Sequence, residues 1–327
     1  MKELALAVFA ATRDEHAVER ETRSHRFARF AAGFDGVAYV SELAQAGIRW
    51  LARSHDAFPP RLASIVDPPP GLFLRGSGQL ELLSGPAVAV VGARGCSDYG
   101  AHVARTLGRE LAEAGVVVVS GLARGVDGWA HRGALEAGGT TVAVLGCGVD
   151  RDYPRAHTAL AAQIGQKGLI VSEYPPTVAP APWRFPARNR IVAGLCAATV
   201  VVEAREQSGA LITADLALEE GRDVLAVPGE ITASLSRGTN ALLRLGAIPV
   251  TGSADVLEAI GVAPREGQRQ TPRTGPSSVA LEAIDQGAAT ADEIVTATGL
   301  AAGVVAAALV ELELAGFVTA QAGVFRR

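Results

Sequence analysis

The segment 183–190, Trp-Arg-Phe-Pro-Ala-Arg-Asn-Arg, concentrates side chains that can bind a nucleic acid. Its candidate binding residues are Arg184, Phe185, Arg188, Asn189 and Arg190. Guanidinium groups bind phosphates and aromatic rings stack on bases, so this mixture suits a single-stranded nucleic acid. We expect Pro186 to interrupt the chain and Asn189 to cap the helix that follows. A second interpretation is equally open from these residues alone: Phe185 and Trp183 belong to the core, and the arginines form surface salt bridges.

Glycine-rich segments follow four of the short apolar runs in the chain, at 92–100, 120–128, 146–148 and 207–210. Glycine lets the backbone approach a ligand closely, and the helix start after it offers free N–H groups to an anion. The candidate contact residues are Arg94, Ser97, Ser120, Gly121, Ala123, Arg124, Gly125, Ser208 and Gly209. We expect the three serines to cap helices or to donate to a phosphate. One such loop is weak support, because tight strand-to-helix turns also need glycine, but four together favour an anion-binding edge.

These loops must be positioned by a sheet, and the sequence predicts one. Apolar runs of three to five residues recur between helix-length segments, at 87–91, 116–119, 141–145, 169–171, 199–202 and 224–227. This alternation predicts an α/β fold, an extended Rossmann-like and mostly parallel sheet with helices on both faces. Such sheets bind ligands at the carboxyl ends of their strands, where the glycine-rich segments lie.

The chain of 327 residues is long enough for more than one domain. We predict a small helical N-terminal domain over 1–57, with helices at 4–11 and 37–52, and an extended Rossmann-like domain over 58–263 that carries the candidate nucleic-acid site. Residues 264–278 lack apolar side chains other than proline, which is typical of a linker. Residues 279–327 begin with helical patterns, including a capping box at 290–293, and end in two short strands. That order predicts a winged helix.

Charge argues against duplex DNA as the ligand of the winged helix. Residues 279–327 contain six acidic and only two basic side chains, and the third helix has no cation. A helix that enters the major groove should carry cations or amides towards the bases and phosphates. We therefore interpret this module as a packing or protein-interaction unit.

The overall composition is that of a globular, soluble protein, 49% hydrophobic and 20% charged. A net charge of −4 means that any nucleic-acid site must be local. Cys96, Cys147 and Cys196 are isolated, so we expect reduced thiols and neither disulfides nor metal ligands. No signal segment or apolar run near 18 residues occurs, so we expect a cytoplasmic protein without membrane contact, metal or cofactor.

A long series of motifs resembles, in order and spacing, the DNA-processing protein A (DprA, or Smf) family. The motifs are Val91–Arg94, Tyr99-Gly100, Ser120–Asp127, His131, Gly138-Gly139, Val144–Gly146, Tyr153-Pro154, Ser172–Pro175, Phe185-Pro186, Arg188–Arg190, Val202–Ala204, Ser208-Gly209, Pro228-Gly229 and Gly238–Asn240. The resemblance covers about residues 58–250, with weaker support from the acidic tail. So many ordered matches are far more specific than any single glycine loop.

The resemblance implies a non-enzymatic protein that binds single-stranded DNA, dimerises and loads RecA recombinase onto strands that enter during natural transformation. It leaves open whether transformation or repair is the main role. It also implies that Arg94, Ser120, Gly121, Phe185, Arg188 and Asn189 lie on the DNA-binding face.

Three features depart from the family pattern. Residues 1–55 show no clear G-x-G hairpin of the helix-hairpin-helix type. His157 stands where the family commonly has asparagine. The segment 183–190 contains no lysine, so Arg184 would have to supply any contact that the family makes with lysine there.

An enzyme is the alternative, either a Rossmann-type nucleotide-binding protein or a nucleotide hydrolase. Its motifs are absent from the sequence: Pro228-Gly229 is followed by Glu230, and Gly146-Cys-Gly148 is followed by Arg151 where a third glycine should stand. We expect Asp127 to cap a helix start and assign no catalytic residue. A sequence-specific duplex binder that uses the winged helix is a third class, disfavoured by charge.

The segment 241–248 is richer in aliphatic residues than a lone surface helix needs. We expect Leu242 and Leu243 at a homodimer interface. The alternative is an ordinary amphipathic helix packed on the sheet.

Overall fold

The computed structural model describes residues 1–13, 19–263, 275–314, 317–321 and 323–326. The chain forms two compact units, Met1–Pro264 and Arg265–Arg327. Within the described residues, the first unit holds one sheet of nine strands in the order β1-β2-β6-β5-β4-β3-β7-β8-β9. These strands are β1 Ile48–Ala52, β2 Gly71–Arg75, β3 Ala87–Val91, β4 Val117–Ser120, β5 Thr141–Val144, β6 Leu169–Ser172, β7 Ala198–Val201, β8 Asp223–Ala226 and β9 Ile248–Pro249.

The pairings from β6 through to β9 are all parallel, whereas β1 pairs with β2 and β2 with β6 in antiparallel fashion. The predicted, mostly parallel Rossmann-like sheet is therefore confirmed. The helices of this unit are α1 Lys2–Thr12, α2 His25–Gly33, α3 Gly36–Gln45, α4 Pro60–Ala63, α5 Asp98–Glu113, α6 Val126–Glu136, α7 Thr158–Lys167, α8 Arg184–Leu195, α9 Gly209–Glu219, α10 Arg237–Arg244 and α11 Ser253–Ala259.

Alternate side chains of the central strands enter cores on opposite faces of the sheet. In β3, Ala87 and Ala89 join the core beneath α4, α8, α9 and α10. Val88 and Val90 join the core beneath α5, α6 and α11. A strand buried on both faces reads as a continuous apolar run, which is why these strands could be predicted from sequence.

The N-terminal segment differs from its prediction. The helix expected over 4–11 is α1, but the helix expected over 37–52 ends as α3 at Gln45, and β1 follows. Trp50 of β1 lies opposite Phe73 of β2, with ring centroids 4.6 Å apart. This cross-strand aromatic pair stabilises a strand that local sequence did not reveal. The main sheet therefore begins before residue 58, where we had expected the N-terminal domain to end.

The second unit contains α12 Pro276–Asp285, α13 Ala291–Thr298, α14 Ala302–Leu314, β10 Thr319–Gln321 and β11 Val324–Arg326. This order confirms the predicted winged helix, including the capping box between Thr290 and Glu293. Helix α12 begins at Pro276, a favoured first helical position for proline, so the linker predicted up to 278 is too long. Residues 264–274 of that linker lie outside the described residues. Among the described residues, no single helix is long and apolar enough to span a membrane; α13 and α14 reach that length and hydropathy only together, across a bend of 116°.

His131 joins α6 to the sheet from a fully buried position. Its Nδ1 lies 2.7 Å from the Thr141 hydroxyl, which donates its own proton to the Val118 carbonyl oxygen at 2.6 Å. Because that proton is already used, Nδ1 of His131 must be the donor to Thr141. Burial, reinforced by neighbouring positive charges, lowers the pKa of His131 to about 3.

This lowered pKa makes the first unit sensitive to acid. Below an ordinary pKa of 6.5 the unfolded chain binds a proton at His131, whereas the folded protein binds it only near pH 3. The free energy of unfolding should therefore fall as the pH drops through this window, with His131 contributing about 1.4 kcal/mol per pH unit. His131→Asn keeps a donor for Thr141 and should remove about one proton from the pH slope.

Denaturant unfolding at pH 4.5–7, followed by tryptophan fluorescence, measures this slope. Trp50, Trp129 and Trp183 all lie in the first unit, so the signal reports that unit. Equal slopes for the parent and for His131→Asn would refute the assignment.

Candidate nucleic-acid interface

A pocket of about 230 Å³ opens at the carboxyl edge of the sheet. The chain runs from β3 outwards through β4, β5 and β6, then returns to β7 on the other side of β3. Such a reversal is the topological switch point where open α/β sheets bind ligands. The lining includes these predicted residues: Arg94, Gly121, Ala123, Phe185, Arg188, Asn189, Ser208 and Gly209. We call it the switch-point pocket.

Arg94 and Phe185 form the open side of this pocket. Arg94 is exposed, and its guanidinium carbon lies 5.5 Å from the centroid of the half-buried Phe185 ring. The Phe185 ring also stacks on Tyr153, with centroids 5.3 Å apart and an interplanar angle of 25°. Trp183 is 37% exposed. The alternative interpretation placed both aromatic residues of segment 183–190 in the core, and neither of them is a core residue.

Helix α8 begins earlier than we predicted. It starts at Arg184, which places Pro186 in the first turn, where its missing N–H has no helical partner to lose. Asn189 is consequently inside the helix and not its cap. Its side-chain amide donates to the Gly209 carbonyl oxygen at 3.3 Å, which links α8 to the start of α9.

The arginines of α8 are buried, contrary to the expectation that they face phosphates. Arg184, Arg188 and Arg190 are only 5%, 5% and 8% exposed. Arg190 donates two hydrogen bonds to the Glu173 carboxylate, at 2.7 and 2.8 Å, and a further one to the Asp67 carbonyl oxygen. This bidentate pair fixes α8 to the loop that follows β6.

Arg184 is held by aromatic rings. Its guanidinium carbon lies 5.1 Å from the ring centroids of both Tyr174 and Trp183, and it donates to the Ala179 carbonyl oxygen. Side-chain burial of this degree leaves Arg184 badly placed to replace a family lysine contact. Arg184 and Arg190 instead position α8.

Arg188 and Asp127 hold the loop after β4 beneath the pocket. Arg188 donates to the carbonyl oxygens of Gly121 and Val144, the former at 2.9 Å. A Cβ at Gly121 would lie 2.4 Å from the guanidinium, so only glycine fits there. The Asp127 carboxylate accepts from the backbone N–H groups of Gly121 and Ala123, at 3.1 and 3.2 Å. Burial raises the pKa of Asp127, while the charge of Arg188 and these two donors oppose that rise.

The predicted helix cap at Asp127 is thus wrong: Gly125 is the N-cap of α6, and Asp127 ties back the loop before it. His157 supports the same loop from below. It is buried, and its Nδ1 lies 2.9 Å from the carbonyl oxygen of Leu122, which has a positive φ of 58°. His157, which stands where the family commonly has asparagine, therefore supports the loop after β4 from a buried position.

The three serines behave differently from one another. Ser97 and Ser208 cap α5 and α9, as predicted. Ser120 is fully buried and donates to the Val90 carbonyl oxygen, because it lies inside β4 and not in the loop after it. The Ser120 hydroxyl is therefore not exposed to a phosphate and does not cap a helix, contrary to our prediction.

The amino end of α5 already carries an anion of the chain itself. Glu203, 4% exposed, accepts from the Ser97 backbone N–H at 2.9 Å and from the Ser97 hydroxyl at 2.5 Å. Dinucleotide-binding sheets hold a pyrophosphate at the amino end of the corresponding first helix. Here a buried carboxylate occupies that position.

Exposed arginines stand on successive loops of the same edge. They are Arg94 after β3, Arg124 after β4, Arg151 and Arg155 after β5, and Arg205 after β7. Only Arg94 and Arg124 were predicted as contact residues, although all five follow an apolar run. Exposed carboxylates at Asp98 and Asp150 lie between these arginines in sequence, and Glu206 follows Arg205, so the positive charge at this edge is not continuous.

The predicted dimer residues differ in exposure. Leu242 is 7% exposed and packs into the core, so for it the amphipathic-helix alternative is right. Leu243 packs partly against the same core. The exposed aliphatic residues of this region are Leu245, at 85%, and Ile248, at 37%.

Comparison with known families gives two matches along the chain. Residues 49–261 match the family described as DNA recombination-mediator protein A, and residues 263–324 match the DprA winged helix domain. The DNA processing protein DprA of Streptococcus pneumoniae is 48% identical over 202 residues, which span 62% of this chain and 71% of that protein. Protein Smf of Escherichia coli is 40% identical over 281 residues, or 83% and 75% of the two chains.

Solved structures agree with these matches. The X-ray structure of DNA processing protein A from Streptococcus pneumoniae superposes with a TM-score of 0.67 and 39% identity, covering 79% of this chain and 92% of that one. A structure of the Helicobacter pylori protein, solved to describe its single-stranded DNA binding mode, gives a TM-score of 0.58 and 32% identity over 65% and 95% of the chains.

Substitution of a buried arginine should lower the free energy of unfolding far more than substitution of an exposed one. Arg190→Ala leaves Glu173, 3% exposed, without its bidentate partner, and should lower the free energy of unfolding by about 3–5 kcal/mol. Arg94→Ala removes an exposed side chain and should cost less than about 1 kcal/mol. Denaturant unfolding measures both.

The control is the double variant Arg190→Met with Glu173→Leu, which removes both charges and keeps apolar volume. It should recover much of the stability that Arg190→Ala loses. If Arg190→Ala is as stable as the parent, the buried pair does not position α8.

Proposed function

The chain belongs to the family of DNA recombination-mediator protein A, and from that membership we propose that it binds single-stranded DNA at the switch-point pocket and loads RecA recombinase onto that DNA. The observation that carries the proposal is an exposed guanidinium, Arg94, set against a half-buried aromatic ring, Phe185, in the lining of this pocket. The similar Helicobacter pylori protein was solved for its single-stranded DNA binding mode, which supports the choice of ligand.

The buried arginines divide the site into two layers. Arg188 and Arg190 hold the loops in place, and exposed groups meet the strand. Arg94 and Arg124 contact phosphates, together with the amino end of α9 at Ser208 and Gly209. Phe185 contacts a base with the part of its ring that lines the pocket. A strand bound in this way is recognised through its backbone and the flat faces of its bases, with little preference for sequence.

The function that we propose is not enzymatic. Glu203 fills the amino end of α5, so a nucleotide pyrophosphate would have to displace a buried carboxylate. Asp127 is bound to two loop amides, which suits it to hold the loop and not to act as a general base. A nucleotide-hydrolysis assay distinguishes this proposal from the Rossmann-type nucleotide enzyme: turnover above background would favour the enzyme.

The winged helix is proposed to contact protein and not duplex DNA. Its helix α14 carries no arginine or lysine, and exposes Val304 and Val310. A helix that reads the major groove needs donors and cations on its exposed face. Gel shifts with single- and double-stranded oligonucleotides test this choice, and tighter binding of the duplex would reverse it.

Loading of RecA is tested by filament formation on single strands that are pre-coated with single-strand binding protein. We propose that the chain shortens the lag before RecA filaments form on incoming or repair strands in the cytoplasm. If the chain binds DNA normally and the lag is unchanged, the proposed loading of RecA is rejected and the proposed DNA site is not.

We also propose a homodimer through the exposed aliphatic surface at Leu243, Leu245 and Ile248. These three aliphatic residues fall within six positions of the chain, and clustered apolar surface of this kind marks an interaction site. A two-fold contact would cover the same surface in both copies. The family resemblance supports dimerisation of this domain.

Arg94 and Phe185 should contribute different energies to one site. If the strand loses about four phosphate counterions, the log–log salt slope should be about −3, and Arg94→Ala should make it shallower by about 0.7. Phe185→Ala should cost roughly 1–3 kcal/mol of binding and leave the slope unchanged, because stacking releases no counterions. Fluorescence anisotropy with labelled oligonucleotides at several salt concentrations measures both.

Melting temperatures of the same variants are the control. A Phe185→Ala protein that melts many degrees below the parent would make its binding loss a folding effect. An Arg94→Ala protein with parental affinity and slope would remove the phosphate contact.

The dimer is tested by Leu245→Glu, which places a charge in the proposed interface. We expect dissociation to monomers by light scattering, with an unchanged circular dichroism spectrum. Val66→Glu is the matched control, since Val66 is an aliphatic residue of 87% exposure outside this surface. A Leu245→Glu protein that stays dimeric would show that the interface lies elsewhere.

A further inference from the structure

Tyr153 is an exposed aromatic residue with a fixed position beside the switch-point pocket. Its side chain is 41% exposed, and its ring lies nearly parallel to the ring of Phe185. Phe185 in turn contacts the guanidinium of Arg94. Tyr153 is thus the outer ring of a three-membered stack whose inner members line the pocket.

The segment that carries Tyr153 is anchored on several sides. Asp152 forms an ion pair with Arg75 of β2 at 2.5 Å. Arg151 donates from Nε to the Thr177 carbonyl oxygen at 3.0 Å, and the Asp150 carboxylate accepts from the Thr177 N–H at 2.9 Å. These contacts anchor the segment, and the Phe185 ring supports one side of the Tyr153 ring, so less conformational freedom is lost when a ligand stacks on Tyr153.

We propose that Tyr153 is a second base-stacking position, which receives the nucleotide next to the one at Phe185. This inference rests on the proposed binding of single-stranded DNA. A planar, π-bearing ligand suits the open part of the ring, because every base presents such a face regardless of its sequence. Arg155 is exposed two residues further along, where a guanidinium can take the phosphate that follows this base.

The stack assigns different tasks to its two rings. Phe185 already contacts both Arg94 and Tyr153, so it offers a base only the part of its ring that lines the pocket. Tyr153 offers a larger exposed surface outside the pocket. The strand therefore leaves the pocket over Tyr153, on the β5 side of the edge, and its footprint includes the loop 150–157.

Substitution of Tyr153 tests the proposal through affinity and salt dependence together. Tyr153→Ala should weaken binding of an oligothymidylate by about 5- to 150-fold, the range for loss of one stacked base, with an unchanged salt slope. Tyr153→Phe keeps the ring and should bind within about twofold of the parent. Parental affinity of Tyr153→Ala overturns the proposal.

Tyr99 supplies a matched control. It is a tyrosine of 48% exposure in the first turn of α5, with its hydroxyl donating to the Pro228 carbonyl oxygen, and it is outside the pocket lining. Tyr99→Ala should bind like the parent. If Tyr99→Ala and Tyr153→Ala lose the same affinity for the oligothymidylate, the effect is not specific to Tyr153 and the proposed stacking position is overturned.

A crosslinking measurement avoids dependence on the fold of a variant. An oligonucleotide with 5-iododeoxyuridine, irradiated in complex with the full parent chain, should attach to the peptide that contains Tyr153. Attachment only at other aromatic residues overturns the proposal. If the parent does not bind single strands at all, the proposed function fails; if it binds and Arg94→Ala weakens it but Tyr153→Ala does not, only the stacking position fails.

Discussion

The buried pair of Arg188 and Asp127 is the constraint on which the edge of the sheet depends. A guanidinium and a carboxylate are both removed from solvent beneath the pocket, which is unfavourable unless each is satisfied by hydrogen bonds and by the other's charge. Backbone groups of the loop after β4 provide those hydrogen bonds. The hydrogen bonds that offset the desolvation of the two charged groups also hold the loop in place. Because Arg188 belongs to α8, the conformation of the loop depends on the position of that helix.

The charge of Arg188 in the pocket lining is offset by Asp127, which lines the same pocket, and the charge of Arg190 is offset by Glu173. The positive charge that this edge offers to a polyanion therefore comes from its exposed arginines, in a chain whose net charge is −4. Because these cations are separated by carboxylates, they would fix the path of the proposed strand more than they would attract it from a distance. Under the proposed function, stacking on the rings beside the pocket would then have to supply a large share of the affinity.

The sequence predicted the parts of this structure whose signals are local. The sheet and the winged helix follow from apolar runs, capping residues and turns, which neighbours in sequence decide. The burial of Arg188 and Arg190 does not, because their partners Gly121 and Glu173 come from the loops after other strands. Strand β1 and the Tyr153–Phe185 stack were missed for the same reason, since each is defined by an aromatic partner more than 20 residues away.

The two helix starts beside the pocket show how one fold can favour a strand over a nucleotide. Both α5 and α9 have serine caps, and both point their amino ends towards the same edge. At α5, Glu203 supplies the negative charge that a helix start attracts, so the position where a pyrophosphate would lie is already neutralised. At α9, the cap residue Ser208 and the first residue Gly209 line the pocket itself, beside the exposed Arg94. Under the proposed function, a phosphate would therefore bind on the β7 side of the switch point, and the strand would pass from there over Phe185 towards β5.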